Sequence, residues 1–249
     1  MQTICIYNSK GGVGKTSTAH SLAFGLANEG RRVLLMDLDP QANLSGWCGM
    51  SPEVPTLDQL TRRATNFTGL LHQVGERVDL LPGSDALRTA ESDIDREAVP
   101  QTWLARQLRL IPDRWDYVVL DCAPSMGPLS MMALGASRWV LVPVEPTALG
   151  LAGVGQAVER VEQIQEINRD AELLGILPVR VDRRKLMAQG VLEALGDAYG
   201  DLLFPDVRAG VRLEEAPSYA ISIFEHAPKS GVAEDYMTIV KEVIRRVEG

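Results

Sequence analysis

One short stretch constrains this chain more than any other. It is the apolar run TICIY at residues 3–7 followed by NSKGGVGKTST at 8–18. An apolar run of that kind reads as a buried strand. The glycines after it permit a tight wrap in which successive backbone N–H groups face one anion. The segment TSTAHSLAFGLANEG, 16–30, then carries apolar residues at helical spacing and closes on Gly30, a helix-stop signal. Strand, glycine loop and helix in that order make a phosphate-binding loop, because the helix N-terminus adds its own partial positive charge. The candidate phosphate-binding residues are Gly11, Gly12, Val13, Gly14, Lys15, Thr16 and Ser17. Lys15 supplies a mobile cation for terminal phosphates, and the Thr16 hydroxyl is a candidate Mg2+ ligand. One lysine suffices for such a loop, so Lys10 calls for a separate explanation.

Five more apolar runs read as strands: RRVLLMDLD (31–39), RVDLLP (77–82), WDYVVLDCAP (115–124), RWVLVPVEP (138–146) and LLGILPVRV (173–181). Near-continuous apolar strands separated by helical stretches predict an α/β fold, a doubly wound, mostly parallel sheet with helices on both faces. Residues 1–249 are expected to form one domain. Residues 45–102 carry no regular pattern and are expected to be short helices and loops within it. The segment GVAEDYMTIVKEVIRRV, 231–247, reads as an amphipathic closing helix packed on the sheet. In open α/β sheets ligands bind beyond the carboxyl ends of the strands. Asp121, at the end of VVLDCAP, is placed to hold Mg2+ there. Asp37 and Asp39 end the second strand with period-two spacing, so one of them is available to orient an attacking water. Aspartate is also a common cap or turn residue, and that reading stays open for each, most of all for Asp37.

The net charge of −8 argues against a surface coated in positive charge, but not against a local basic patch. VRVDRRKL (179–186) holds Arg180, Arg183, Arg184 and Lys185 against one acid, and VRAGVRL (207–213) adds Arg208 and Arg212. Arginines so grouped suit non-specific, salt-sensitive phosphate contacts, though a charge run is also often a solvated face. Cys5, Cys48 and Cys122 are scattered, form no CxxC pair and read as reduced thiols, two of them in buried strands. No apolar run approaches the ~18 residues of a membrane span. MQTICIYN has no signal-peptide pattern, so a cytoplasmic location is expected.

KGGVGKT together with DLDPQAN and VVLDCAP resembles the ParA/MinD group of P-loop ATPases, whose phosphate loop is the deviant Walker A type. GVRLEEAPSYAISIFEHAPKSGVAEDY sharpens this toward the Soj-type ParA pattern, and the resemblance runs from about residue 2 to 247. The chain starts at the first strand, so the N-terminal helix-turn-helix extension of larger plasmid ParAs is not expected. The resemblance implies an ATP- and Mg2+-dependent switch ATPase with slow intrinsic hydrolysis. It implies an ATP-dependent homodimer in which Lys10 reaches across to the phosphates held by the partner. It further implies Thr16 and Asp121 at the metal, Asp39 as the catalytic aspartate and Asp37 close to the metal. Arg184 and Arg212 match arginines associated with DNA contact, and Arg183 and Arg208 lie beside them. The implied partners are non-specific DNA of the nucleoid and a ParB-like activator, and the implied process is chromosome or plasmid partition. One departure stands out: relatives carry Pro-Arg-Asn where this chain has Arg208, Ala209 and Gly210, a segment that helps form the adenine pocket in relatives. Four other readings share the fold: a positioner of non-DNA cargo such as a carboxysome or chemotaxis cluster, a MinD-like membrane-associated division regulator, a metallocluster carrier, and a carboxylate–amine ligase. The chain ends on IRRVEG without the bulky apolar face of a membrane anchor, and it has no cysteine pair suited to a cluster.

Overall fold

The computed structural model describes residues 1–51, 53–61, 66–96, 99–125 and 127–249. Among them, seven strands form one sheet: β1 (Gln2–Ile6), β2 (Val33–Leu38), β3 (His72–Gly75), β4 (Val78–Leu81), β5 (Tyr117–Cys122), β6 (Trp139–Val144) and β7 (Glu172–Pro178). Their spatial order is β3-β4-β2-β5-β1-β6-β7, and every pairing is parallel except β3 with β4. The helices that connect them begin with α1 (Lys15–Asn28), α2 (Asn43–Trp47), α3 (Asp58–Thr61), α4 (Leu87–Asp95), α5 (Trp103–Leu108) and α6 (Pro128–Ala136). The series continues with α7 (Ala148–Gln165), α8 (Leu186–Tyr199), α9 (Val211–Glu215), α10 (Ile223–His226) and α11 (Gly231–Glu248).

Period-two alternation splits each central strand between two cores. In β1, Cys5 joins one core while Ile4 and Ile6 join the other. In β2, Leu34, Met36 and Leu38 separate in the same way from Val33 and Leu35, and in β5 Val118 and Leu120 separate from Tyr117 and Val119. The first core is closed by α4 to α8, and the second by α1, α2, α10 and α11. Each strand is therefore buried on both faces, which is why it reads as a continuous apolar run. Cys5 and Cys122 lie in neighbouring strands, both buried, with their sulfurs 3.1 Å apart as free thiols.

The first and last long helices meet closely. A Cβ added at Gly25 of α1 would lie 2.4 Å from Val240 Cγ2 of α11, so glycine sets their approach. α11 turns Val232, Tyr236, Ile239, Val240 and Val243 into this contact, as its amphipathic pattern predicts. α1 ends on Gly30 at φ +84°, where Arg31 N–H donates to Leu26 O at 3.0 Å. A side chain at that φ would be strained.

Residues 45–102 depart from expectation in one respect. The structure adds the antiparallel edge strand β3 to the helices and loops foreseen there. It is four residues long, half-exposed and irregular in register, so it carries no alternating apolar signal. Residues 52, 62–65, 97 and 98 of that stretch lie outside the described residues.

Candidate functional site

The loop between β1 and α1 is held at its base by Asn8, which is fully buried. Asn8 Nδ2 donates to Pro143 O at 2.9 Å, and its Oδ1 accepts from Lys10 N–H at 3.0 Å. Gly12 and Gly14 sit at φ +76° and +79°, a region that other residues enter only with strain. Lys15 opens α1, is 6% exposed, and donates from Nζ to Lys10 O at 2.9 Å. Burial lowers its pKa, and the nearby Asp121 pulls it back up. The main chain of Lys10 is thus fixed from both sides by Asn8 and Lys15. Its ammonium, by contrast, has no hydrogen-bond or ion-pair partner among the described residues.

The carboxylates beside the loop divide into two kinds. Asp37 and Asp121 are register partners on adjacent strands, both buried. Asp37 Oδ2 accepts from Ser45 N–H at 2.8 Å and from Ser45 Oγ at 2.7 Å, and its Oδ1 accepts from Asp39 N–H at 3.1 Å. It therefore ties the end of β2 to the start of α2, the cap-and-turn work open to any aspartate there. Burial pushes its pKa up to about 6 against those hydrogen bonds. Among the described residues, neither oxygen of Asp121 has a hydrogen-bond partner. Burial, then the Asp37 charge, raise its pKa well above the ordinary carboxylate value, while Thr16 and Lys15 pull it down from nearby. A buried carboxylate without donors costs free energy unless a cation completes it. Asp121 with the Thr16 hydroxyl accordingly fits a hard, oxygen-seeking cation such as Mg2+, whereas Asp37 already has its partners. Asp39 is half-buried at the mouth of the site and accepts from Gln41 N–H at 2.9 Å.

A cavity of about 130 Å3 adjoins the loop, lined by Gly14, Ser17, Trp47, Val179, Arg180, Val207, Arg208, Gly210, Leu213, Glu214 and Tyr236. The departure at 208–210 thus falls on the wall of this cavity. Trp47 was not signalled by the sequence reading. It packs on α1 through His20, with the rings 6.1 Å apart and edge-on.

The basic residues do not form one free patch. Arg183 pairs with Asp206, Arg184 with Asp182 (2.8 and 2.9 Å), Arg208 with Asp235 (2.7 and 2.8 Å) and Arg212 with Glu215 (2.8 Å). The sequence set one acid against the 179–186 run. The fold brings Asp206 and Asp235 to it from a distance, and Arg183, Arg184 and Arg208 share one open basin with these acids. The guanidinium of Arg180 leaves the run altogether and turns to the phosphate loop, donating from Nη1 to Gly12 O and to Glu145 Oε1, each at 2.9 Å.

A central parallel strand, a glycine loop opening a helix, and carboxylates at the ends of the next two strands on one side, β5 and β2, define a P-loop protein of the doubly wound α/β class. A family profile described as an AAA domain matches residues 1–173. The chromosome-partitioning ATPase Soj of Thermus thermophilus is 38% identical over 250 residues, covering 100% of this chain and 97% of that protein. The sporulation initiation inhibitor protein Soj of Bacillus subtilis is 34% identical over 245 residues, covering 96% and 97%. Among solved structures, cobyrinic acid a,c-diamide synthase from Mycobacterium smegmatis, crystallised with bound ADP and magnesium, superposes with a TM-score of 0.87. Its identity is 30% over 100% of this chain and 96% of that one. The chain belongs to the Soj/ParA family of P-loop ATPases.

Proposed function

We propose that this chain is an ATP-dependent switch that dimerises around nucleotide, binds DNA without sequence preference, and positions a chromosome or plasmid with a ParB-like activator of its slow hydrolysis. In this reading Lys15 and the backbone of Gly11 to Ser17 hold the phosphates. Thr16 and Asp121 hold Mg2+, which neutralises charge on the phosphate oxygens. Asp39 orients the attacking water from the mouth of the site. The observation that carries the reading is Lys10: its peptide is fixed at the loop while its ammonium has no partner among the described residues. A lysine so placed is free to stabilise charge on the phosphates of a second copy, the logic of a catalytic cation supplied in trans.

Two observations bear on the alternatives. The apolar face of α11 is buried against α1 and the sheet, so that helix has no apolar stripe left for a membrane surface. No helix among the described residues is long and apolar enough to cross one. The cobyrinic acid a,c-diamide synthase likeness raises an amide-forming ligase as a second reading. Full-length matches to Soj proteins at higher identity support the switch instead.

Two lysine variants separate binding from switching. Lys15→Ala removes the buried cation and should abolish nucleotide binding, measured by fluorescent-nucleotide titration. Lys10→Ala should keep nucleotide affinity within about threefold yet lose the ATP-dependent dimer in sedimentation, together with turnover and DNA binding, because a trans contact adds nothing to the isolated subunit. Normal dimerisation and hydrolysis in Lys10→Ala would remove the main support for the switch.

A further inference from the structure

Arg180 lies two residues beyond β7, and its backbone is at φ +54°. That region suits glycine and, less often, asparagine or aspartate, so an arginine there is held by its surroundings. The ladder continues on both sides of it. Val179 N–H donates to Val144 O at 2.8 Å, and Val181 N–H donates to Val207 O at 3.0 Å. The left-handed residue is a local reversal within paired chain, not a frayed strand end. One nitrogen, Nη1, spends its two hydrogens on Gly12 O and Glu145 Oε1. Glu145 is itself fixed in the turn before α7, where its carbonyl accepts from Thr147 N–H at 2.7 Å.

Gly12 is the first of the two left-handed glycines in the phosphate loop. A trans peptide is planar, with its C=O and N–H on opposite sides. Tethering Gly12 O to Arg180 therefore commits the Val13 N–H to the opposite side, away from the guanidinium. A phosphate loop works through the direction of such N–H groups. The contact joins the ends of β6 and β7 to the loop after β1, across 168 residues of sequence.

We propose that Arg180, oriented by Glu145, is a positioning residue for the phosphate loop: by gripping the Gly12 carbonyl it presets the Gly12–Val13 peptide for a nucleoside polyphosphate. This rests on the reading of the loop as a nucleotide site. It also takes Arg180 out of the DNA-facing group in which the charge run places it.

The test is titration of nucleotide-free protein with a fluorescent, slowly hydrolysed ATP analogue and with fluorescent ADP, in Mg2+. The proteins compared are wild type, Lys15→Ala, Arg180→Met, Arg180→Gly, Arg180→Lys and Glu145→Gln. Loss of one charge-assisted hydrogen bond should weaken both nucleotides about tenfold in Arg180→Met and Arg180→Gly. Arg180→Lys should recover part of the loss. Glu145→Gln should shift affinity in the same direction by less, and add little on top of Arg180→Met. Glycine accepts a positive φ without strain, so the nucleotide-free Arg180→Gly protein should melt no lower than wild type. That separates a lost contact from a damaged fold. Wild-type affinity in Arg180→Met and Arg180→Gly, or DNA binding lost while nucleotide affinity is kept, overturns the inference and leaves the nucleotide reading standing. If wild type binds neither nucleotide, or binds no better than Lys15→Ala, the phosphate-loop reading fails and the inference with it.

Discussion

Asp121 and Asp37 are neighbours in register with the same side chain and nearly the same burial, yet their surroundings give them different work. Asp37 has three donors and closes a turn; Asp121 has none among the described residues. A carboxylate buried without donors is a standing cost to the empty protein, on the order of 1–3 kcal/mol for the desolvated group. Asp121→Asn should therefore raise the melting temperature of the nucleotide-free protein at pH 8, while losing the further rise that Mg2+ with ATP gives to wild type. Differential scanning fluorimetry with and without Mg2+ reads both. A variant less stable when empty, or one still stabilised fully by Mg2+ with ATP, would show that Asp121 is satisfied in a way the fold does not reveal. Sequence reading put both aspartates at the site but could not apportion their roles, because cap and ligand draw on the same residue type. Arg180 was legible only as one charge in a basic run. Its left-handed backbone and its reach to Gly12 leave no trace in composition or spacing.

α1 and α2 meet through a small aromatic cluster. His20 lies 4.6 Å from the Phe24 ring and edge-on to Trp47, is 4% exposed, and leaves Nε2 without a partner. Burial lowers its pKa to about 4. A base whose folded pKa is depressed is neutral in the fold, while the unfolded chain takes up a proton as pH falls through 6.5. The stability it contributes is therefore whole above pH 6.5 and is lost between there and pH 4, about 3–4 kcal/mol at 1.4 kcal/mol for each pH unit between. Asp37 acts in the opposite sense over an overlapping range, since its folded pKa of about 6 is raised and its contribution fades as pH rises. The comparison that isolates the imidazole is His20→Phe against wild type, by urea unfolding at pH 7.5 and pH 5. The variant should hold its stability on acidification better than wild type, and parallel losses in both would show that His20 is not responsible. At this scale the sequence was most informative where burial was most complete. Strands buried on both faces announce themselves as apolar runs, and α1 and α11 by their periodicity. β3, short and half-exposed at the sheet edge, has no such pattern to offer.

Over the whole molecule, the excess of acidic residues is not kept apart from the basic ones. Each of the four arginines singled out for DNA contact, Arg183, Arg184, Arg208 and Arg212, faces a carboxylate of its own chain. Exposed pairs like these add little to stability, about 0–1 kcal/mol, but a phosphate must displace the carboxylate to gain the arginine. Replacing Asp206 and Asp235 by asparagine should strengthen ATP-dependent DNA binding several-fold at about 0.1 M salt and steepen its salt dependence, because more arginines are released to phosphate. Fluorescence anisotropy with duplexes of unrelated sequence across a salt series measures both. Unchanged affinity and slope would place the DNA-contacting surface elsewhere. The pairing was not legible beforehand, since Asp206 and Asp235 come to the 179–186 run only through the fold.

The seating of α11 on α1 through Gly25 also orders events in time. The helix that opens at Lys15 is made long before α11, the helix that covers it, and Tyr117 and Arg31 both wait for Glu248 to complete their contacts. Contacts so distant along the chain form late, because the whole intervening loop must be closed first. A growing chain on the ribosome thus carries its phosphate-loop sequence long before it has the buried helix that presents it. The phosphate loop is therefore expected to settle only once α11 has emerged and docked.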